Sequence, residues 1–317
     1  MRKRLFLAAL AAIVGTATAI AQQIAVVSEG GGTNVFQTLT EAIEGASNGS
    51  VIYLPGGGFQ IHDSVKITKR LSIIGIGHKA KSENVDGNTM IGGNLFFNEG
   101  SSGSSVMGCY ISGSIYIANG GGKVDNIIVK RCNVYSFQIG SKLCEGTIVN
   151  QCYAREDSEF GASPIHLSNN VIDAIRNVNG GTIVNNTIVG NINLFSTSSL
   201  RDVNNSILTN NVLRYGISES SGIVATGNLF GYSIYGDDAA KVDYNNLFVN
   251  SSPGVSPSAD YHFTEDYQQY SDCGIYGGTG FSDGALPPVP FIVAKSIPEQ
   301  TDASGNLNIK IRVKASE

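Results

Sequence analysis

A six-residue pattern that recurs through the middle of the chain constrains the fold more than any other feature of the sequence. It consists of an apolar residue, two variable residues, a small or polar residue, one variable residue and a second apolar residue. Its seven copies are Val106–Ile111, Val129–Val134, Val149–Ala154, Val184–Val189, Leu208–Leu213, Val224–Leu229 and Val242–Leu247. Their first residues are 23, 20, 35, 24, 16 and 18 residues apart. Short units repeated at such intervals indicate a solenoid.

The length of each unit selects the kind of solenoid. A unit of this size has no room for a useful helix plus strands, but it accommodates three short strands joined by turns. The chain has 39 Gly, 13 Tyr and 13 Phe, which suits β-structure with many tight turns. Coils stacked in parallel should lie about 4.7–4.9 Å apart, so the first and sixth repeat positions are expected to form apolar columns inside the solenoid.

The fourth position of the repeat carries small and polar side chains. Its residues are Cys109, Cys132, Cys152, Thr187, Asn211, Gly227 and Asn245. We interpret the thiols as an internal stack of small apolar groups, with metal or redox chemistry as the alternative. The column contains no His, so no metal site is expected. Asn210, Asn211, Asn245 and Asn246 suit turns with left-handed backbone angles, and stacked Asn side chains should hydrogen-bond along the axis.

Three segments before the repeats form a distinctive opening. Residues 36–43 place apolar side chains at helical spacing, which predicts a short helix within Val35–Ala46. Residues 48–59 and 67–75 then supply short β-branched runs broken by Gly. This order resembles the opening of the pectin-lyase-like superfamily of right-handed parallel β-helices, in which a short helix caps the first coil. The resemblance covers roughly residues 33–286.

The resemblance implies the fold more specifically than the activity. We expect an all-β chain, a right-handed parallel β-helix solenoid with a short N-terminal capping helix and a C-terminal β-hairpin or cap. Lyases, hydrolases and non-catalytic surface proteins all use this fold, so the fold alone selects none of them. The expected division is a signal peptide at 1–21, an N-terminal cap at 22–50, the parallel β-helix at 51–286 and a C-terminal hairpin or cap at 287–317.

Residues 1–21 have the features of a secretory signal peptide. Arg2–Arg4 precede an apolar run over Leu5–Val14, and small residues suit cleavage after Ala19 or Ala21. An N-terminal membrane anchor is the alternative, although the run is shorter than the ~20 residues that a membrane span needs. We therefore expect an exported protein that is extracellular, at the cell surface or periplasmic, with no transmembrane segment in the mature chain.

The charge of the chain excludes one class of partner. The formal net charge is −5, and removal of residues 1–21 leaves 18 Lys and Arg against 26 Asp and Glu, a net charge of −8. A general nucleic-acid binder needs a basic surface, so nucleic acid is not expected as a partner. The five cysteines cannot all pair within the chain because their number is odd. Nothing in the sequence sets an oligomeric state.

The last part of the chain is expected to form a β-hairpin. Pro287–Pro290 marks a break, and Leu307–Lys314 alternates apolar with basic or polar residues as a strand does. Phe291–Val293 and a turn at Asp302–Asn306 complete the expected hairpin. It would serve either as a cap on the last coils or as a sorting or attachment element.

Residues that flank the sixth repeat position should point outward, because side chains alternate along a strand. These are Tyr110, Ser112, Asn133, Tyr135, Tyr153 and Arg155, and a second outward line consists of Lys130, Asn150 and Asn185. Tyr135 and Arg155 should lie about 5 Å apart at the backbone. Aromatic faces stack on sugar rings, and Arg can grip a carboxylate or sulfate in two places. The residues expected to bind substrate are Tyr135, Tyr153, Arg155 and His166.

The 35-residue interval between Val149 and Val184 is longer than one coil. It contains either a further coil around Val171–Ile175 or a projecting loop. Arg155–Glu159 and His166 fall within it, and loops on a rigid scaffold are where binding and catalysis concentrate. A solvated charged bend is the alternative.

A catalytic role is the main alternative to simple binding. A uronate lyase needs a base and cations that neutralise the sugar carboxylate, and Ca²⁺ would be its cofactor; otherwise none is expected. The residues that would supply catalysis are Lys130, Arg155, Glu156 and Asp157. The sequence lacks the Asp-His and Arg-x-Pro-x-x-Arg stretches of pectate lyases, and the Gly-His-Gly and Arg-Ile-Lys stretches of polygalacturonases.

These absences favour a non-catalytic function. We expect an exported β-helix that binds a polysaccharide or cell-surface glycan on an outward ladder of side chains. The alternatives are a polysaccharide lyase or glycoside hydrolase with an atypical site, and a structural or adhesive surface protein. The expected site requires Tyr135, Arg155 and Lys130 to share a concave groove.

Overall fold

The structure is a computed structural model of the chain. It describes residues 23–79, 87–140, 144–190, 198–236, 238–281, 290–296, 298, 300–301, 304–307 and 309–314. The expected signal peptide at 1–21 lies outside the described residues. Among the residues that are described, no helix has both the length and the apolar character that crossing a membrane requires.

Most of the described chain winds repeatedly through three sheets. In spatial order, the first sheet contains β2 (Thr33–Phe36), β1 (Ile24–Val27), β3 (Ser50–Tyr53), β5 (Leu71–Ile74), β8 (Ser105–Met107), β11 (Ile128–Lys130), β14 (Thr147–Asn150), β17 (Ile165–Ser168), β20 (Thr182–Val184), β23 (Ile207–Thr209) and β26 (Val224–Thr226). The second sheet contains β4 (Gly57–Gln60), β6 (Thr89–Gly92), β9 (Tyr110–Ile111), β12 (Asn133–Val134), β15 (Tyr153–Ala154), β18 (Val171–Ile172), β21 (Thr187–Ile188), β24 (Val212–Leu213), β27 (Leu229–Phe230) and β28 (Ala240–Lys241). The third sheet contains β7 (Leu95–Phe97), β10 (Ile115–Ile117), β13 (Phe137–Ile139), β16 (Ser158–Ser163), β19 (Ile175–Asn179), β22 (Ser198–Asn204) and β25 (Gly216–Ser218).

A few elements lie outside the three sheets. They are helices α1 (Leu39–Gly45) and α2 (Tyr244–Leu247), a 3₁₀ helix (Glu265–Tyr270), the antiparallel pair β29 (Phe248–Asn250) and β30 (Asp260–Phe263), and the antiparallel pair β31 (Phe291–Ser296) and β32 (Lys310–Lys314). The chain visits the first, second and third sheets in turn, and within each sheet the strands from β3 to β28 pair in parallel. The protein is therefore a parallel β-helix.

Equivalent residues of successive coils lie directly above one another. In the first sheet, Val106 lies beside Val129, which lies beside Val149, and Leu167 follows. These side chains are completely buried in one continuous core. Full burial of such a side chain stabilises the fold by about 1.5–3 kcal/mol. The stacking confirms the parallel register predicted from the repeat.

The long interval between Val149 and Val184 contains a complete coil. Strands β17, β18 and β19 lie in register between the strands of the neighbouring coils. Of the two alternatives for this interval, the further coil is therefore confirmed. The long interval arises because the repeat of this coil begins at Leu167, where the fourth position is Asn170.

For two of the seven repeats, the register predicted from the sequence differs by one residue from the register in the structure. Val184 pairs with Thr209 and Val224 pairs with Ile207, all on the outward side of the first sheet. The inward residue of the first of these coils is Ile183, which is fully buried. Two adjacent apolar residues make the register ambiguous in the sequence, and a slip of one residue moves every side chain to the opposite face.

A turn residue with left-handed backbone angles fixes the register between the first and second sheets. In seven coils this residue is Gly108, Arg131, Gln151, Asn169, Asn185, Asn210 or Gly227, with φ between 52° and 66°. The residue that follows it points into the core. This inward column is Cys109, Cys132, Cys152, Asn170, Asn186, Asn211 and Asn228, all of which are buried.

The asparagines of this inward column form a hydrogen-bonded ladder. Asn186 Nδ2 donates to Leu167 O and to Asn211 Oδ1, each at 3.0 Å. Asn186 Oδ1 accepts from the backbone N–H of Asn170 at 3.0 Å and from Asn170 Nδ2 at 2.9 Å. The predicted bonding of stacked Asn side chains along the axis is thus confirmed.

The membership of the column differs from the one expected. In two coils the inward residue is Asn186 or Asn228, whereas Thr187 and Gly227, one residue away in each case, were the residues expected there. Asn245 and Asn246 lie in α2 and are exposed, because the last repeat does not form a coil of the first sheet. Asn211 was expected in a left-handed turn but points inward, and Asn210 takes the turn.

Helix α1 covers the N-terminal end of the core, as predicted. Its buried side chains Leu39, Ala42 and Ile43 belong to the main hydrophobic cluster. Thr38 caps the helix by accepting from the backbone N–H of Glu41, and the Glu41 carboxylate accepts from the backbone N–H of Thr38. This reciprocal capping stabilises a helix that is only seven residues long.

The predicted C-terminal hairpin is present. Strands β31 and β32 pair antiparallel, with Ile292 beside Val313. Ile311 and Val313 are more than half exposed, at 52% and 54%. Whether the hairpin acts as a cap or as an attachment element remains a prediction.

Residues 248–281, which we call the strap, run back along the outside of the coils. The backbone N–H of Gly274 donates to Asn210 O at 2.8 Å. Asn169 Nδ2 donates to Gly277 O at 2.8 Å, and Gln151 Nε2 donates to Gly280 O at 2.8 Å. The strap therefore passes the left-handed turns in reverse order and covers the outer face of the second sheet, where its side chains form a second apolar cluster.

Substitution of a ladder asparagine should destabilise the fold strongly. Asn186→Ala leaves the backbone N–H of Asn170 and the carbonyl of Leu167 without their partners. Each buried polar group that loses its partner costs about 1–3 kcal/mol, so we expect the free energy of unfolding to fall by about 2–6 kcal/mol. Urea denaturation followed by circular dichroism measures it.

Asn245→Ala is the matched control. Its side chain is exposed outside the coils, so the free energy of unfolding should change by less than ~0.5 kcal/mol. Equal losses in the two variants would contradict a stabilising role for the ladder.

Candidate functional site

The structure separates the residues expected to bind substrate or to catalyse into three places. Lys130 and His166 lie on the outer face of the first sheet, where Lys130 is beside Asn150 and His166 is beside Ile148. Asn185, expected on the same line as Lys130, is instead a left-handed turn residue bonded to the strap. Lys130 therefore does not share a face with Tyr135 and Arg155, which lie beyond the strands of the second sheet.

Tyr135 and Arg155 belong to the row of turns that leads from the second sheet to the third. We call this row the turn edge; its described members include Ser112–Ser114, Tyr135–Ser136, Arg155–Asp157, Asp173–Ala174, Arg214–Tyr215 and Gly231–Ser233. The Tyr135 side chain is 47% exposed. Glu156 is exposed beside it, and the backbone N–H of Glu156 donates to Tyr135 O at 2.9 Å.

Arg155 ties three coils together at the turn edge. Its Nη1 donates to Tyr110 Oη at 2.7 Å, and its Nη2 donates to the carbonyls of Ile111 and Ser112, both at 3.0 Å. Its Nε donates to Val134 O at 3.1 Å. Most donors of this guanidinium are thus engaged by the protein itself. Arg155 holds the edge in shape and has little capacity left to grip a carboxylate of a ligand.

Two carboxyl groups meet at the centre of the turn edge. Asp173 is only 2% exposed and lies within hydrogen-bonding reach of Asp157. Burial, followed by the charge of Asp157 and the hydrogen bond between the two groups, raises the pKa of Asp173 to about 7. Arg176 opposes the shift, and its Nε donates to Asp157 Oδ2 at 2.6 Å. Near neutral pH, the pair can therefore hold one proton between two oxygens.

The sequence pointed to Asp157 but not to Asp173. The two residues occupy different positions in their coils, because the turn after β15 is longer than the turn after β18. The backbone N–H of Asp173 donates to Ala154 O, and that of Ser158 donates to Ala174 O. The one extra residue in the first of these turns brings Asp157 over Asp173. The proximity of Asp157 and Asp173 can therefore be deduced only when the register of the coils and the lengths of both turns are known.

Aromatic side chains lie on the turn edge on both sides of the carboxyl pair. Tyr135 lies on one side, and Tyr215 and Tyr232 lie on the other with their rings stacked at 5.1 Å. Tyr232 is 57% exposed. The Tyr215 ring covers Gly190, where a Cβ would come within 2.4 Å of it. Four coil steps, roughly 19 Å at about 4.8 Å per step, separate Tyr135 from Tyr215.

Tyr153 lies apart from the turn edge. It begins β15, is almost fully buried, and packs edge-on against His78 and Phe281 at centroid distances of 5.4 and 5.3 Å. The strap covers this side of the second sheet, so Tyr153 is not part of an open outward ladder. It instead lines a cavity beneath the strap.

The five cysteines are unpaired and buried. In the inward column the backbone N–H of Cys132 donates to Cys152 Sγ at 3.4 Å. Burial raises the pKa of the Cys109 and Cys152 thiols. Neutral thiols packed in an apolar core fit the structural interpretation of this column.

Comparisons of this chain with protein-family models, with curated proteins and with solved structures each found no match.

The Asp173 pair should make stability depend on pH. The folded chain keeps a proton on Asp173 up to about pH 7, whereas the unfolded chain loses it near the ordinary pKa of 3.8. The contribution of Asp173 to stability should therefore be fully present below that lower pKa and should be lost as the pH rises toward 7. Asp173→Asn removes the charge, so the urea midpoint should exceed that of the parent at pH 8 and match it at pH 4.

Asp266→Asn, an exposed position in the 3₁₀ helix, is the control and should leave the pH profile unchanged. The raised pKa of Asp173 would be contradicted if the difference in urea midpoint between the parent and Asp173→Asn were the same at pH 4 as at pH 8.

Proposed function

We propose that this protein is an exported β-helix of the pectin-lyase-like type that binds a polysaccharide or cell-surface glycan along the turn edge without cleaving it. The observation that carries the proposal is the exposed aromatic side chains of Tyr135 and Tyr232 on either side of a polar centre. Aromatic faces stack on sugar rings, and carboxyl and guanidinium groups hydrogen-bond to hydroxyls. Five coil steps, roughly 24 Å at about 4.8 Å per step, separate these two tyrosines along the axis, which suits a chain of several sugar residues.

The rigidity of the edge supports binding of an extended ligand. Arg155 fixes the backbone of three coils through its four hydrogen bonds. Its guanidinium also lies 4.9 Å from the Tyr110 ring and 5.9 Å from the Tyr135 ring. A preformed surface loses little conformational entropy on binding, which favours affinity.

Export supports a glycan as the partner. The basic and apolar segments of residues 1–21 are those of a signal peptide, and a mature net charge of −8 disfavours polyanionic partners such as nucleic acid. We infer an extracellular, cell-surface or periplasmic location, where polysaccharides are the abundant extended polymers.

Removal of an edge tyrosine should weaken glycan binding. A glycan array identifies a ligand, and affinity electrophoresis then compares variants. Tyr135→Ala and Tyr232→Ala should each reduce affinity about 2- to 10-fold, because an aromatic contact contributes ~0.5–1.5 kcal/mol. The double variant should lose more than either single variant.

Tyr53→Ala provides the control, since Tyr53 is similarly exposed but lies on the first sheet. If it weakens binding as much as Tyr135→Ala, the turn edge is not the binding surface. If no glycan binds at all, a structural or adhesive role is supported instead.

The carboxyl groups of Asp157 and Asp173 make glycoside hydrolysis a second candidate function, because a carboxyl group with a pKa near 7 can protonate a glycosidic oxygen. The two carboxyls of a glycosidase lie at least about 5 Å apart, which is farther than a hydrogen-bonded pair, so binding without cleavage has the stronger support. The lyase alternative has less support, because Arg155 is engaged by the protein and Lys130 lies on another sheet.

Hydrolysis would appear as new reducing ends released from the bound glycan. If the parent protein produces them, Asp157→Asn and Asp173→Asn should each lower the rate at least ~100-fold while glycan binding persists. Asp266→Asn should keep the parent rate. Binding with no reducing ends, at any pH between 5 and 8, would exclude this second candidate.

A further inference from the structure

A cavity of about 200 Å³ lies between the coils and the strap, on the outer face of the second sheet. From the coils it is lined by His78, Lys79 and Tyr153, and from the strap by residues 257–260, His262, Tyr276 and Phe281. Lys79 Nζ donates to Pro257 O at 3.0 Å, which ties the strap to the coil at the cavity wall.

His78 is the unusual member of this lining. It is only 5% exposed, and neither ring nitrogen has a hydrogen-bond partner among the residues that the structure describes. Burial lowers its pKa to about 3, so the imidazole is neutral in the physiological range. A neutral imidazole has one donor and one acceptor, and each costs about 1–3 kcal/mol when it is buried without a partner. A ligand in the adjoining cavity would supply hydrogen-bond partners for the two ring nitrogens of His78.

The rest of the lining is part polar and part aromatic. His262 Nδ1 donates to Asp260 Oδ1 at 2.6 Å, and the His262 ring stacks on the Tyr276 ring at 3.8 Å. Tyr153 and Phe281 supply apolar ring surface. A ligand with C–H surface on one side and hydroxyls on the other matches both kinds of wall.

Charge and size narrow the class of ligand. Lys79 and Asp260 contribute one charge of each sign, and His78 contributes none, so the cavity does not favour a net anion. The described residues contain no group of three His, Cys, Asp or Glu side chains placed to hold a metal ion. A volume of about 200 Å³ equals the liquid volume of roughly six or seven waters, enough for one small ring with its hydroxyl groups.

We propose that this cavity binds a single neutral sugar residue, whose hydroxyls hydrogen-bond to the His78 imidazole and whose C–H surface contacts Tyr153 and Phe281. The site is separate from the turn edge, because Tyr153 begins β15 whereas Arg155 follows its end. It does not rest on the function proposed for that edge. The ligand is either a free monosaccharide or the terminal residue of a longer glycan, which share this chemistry.

Side-chain nitrogen NMR of the histidines tests the site directly in the full mature chain. The sequence has four His, namely His62, His78, His166 and His262. Separate titrations use neutral monosaccharides of several stereochemistries, a matching oligosaccharide, inorganic phosphate and Zn²⁺. At least one neutral sugar should shift the His78 and His262 signals saturably at millimolar concentration, while His62 and His166 stay unchanged. Equal affinity for the monosaccharide and the oligosaccharide identifies a free sugar; tighter binding of the oligosaccharide identifies a terminal residue.

Two variants and one control establish the role of His78. His78→Phe keeps a ring against Tyr153 but removes both nitrogens, so affinity for the sugar should fall at least ~10-fold, with the His262 signal as the readout. Phe281→Ala should weaken binding while leaving His78 observable. His62→Phe, at an exposed position, should bind as the parent does.

The outcomes separate this proposal from the function proposed for the turn edge. A Tyr135→Ala, Tyr232→Ala double variant should still shift His78 with the same sugar. If no neutral sugar moves the His78 signals, the cavity holds water only and the proposal is wrong. A saturable response to phosphate or Zn²⁺ in place of sugar would also overturn it.

Discussion

The fold depends on one backbone turn that recurs in coil after coil. A residue with left-handed angles ends each strand of the first sheet, and the next side chain points into the core. Asn170, Asn186 and Asn211 then satisfy the buried backbone groups of neighbouring coils. Without that bonding, a sharp turn at this depth would bury polar groups without partners, which is costly. The ladder therefore permits apolar columns to stack without interruption.

The same turns also determine what covers the solenoid. The side chains of Gln151 and Asn169 point outward from the turns and donate to the strap carbonyls. The strap consequently runs along the second sheet and buries its outer face. Its far end leaves the cavity beside His78, while the turns on the other side of the second sheet stay open. Two surfaces with different chemistry result, one partly covered by the strap and one exposed.

Much of the architecture followed from the sequence. The repeat predicted parallel stacking, Val35–Ala46 predicted a capping helix, and the alternation at Leu307–Lys314 predicted a hairpin strand. Errors of register occurred where two apolar residues are adjacent, as at Ile183 and Val184, because periodicity cannot choose between them. Tyr135 was correctly expected at an exposed position, but Tyr153 is buried because a distant segment covers it.

The sequence by itself determined that the chain stacks short coils, because apolar residues at fixed repeat positions can be buried only by neighbouring copies of the same unit. Tertiary structure alone decided that Asp173 lies beside Asp157 and that Arg155 donates hydrogen bonds to Tyr110 and to backbone carbonyls. It also decided that the strap lies over His78 and lines a cavity with it. Such contacts depend on turn lengths and on chain segments far apart in sequence. Local patterns encode which side chains face inward; they do not encode which distant groups come within reach of one another.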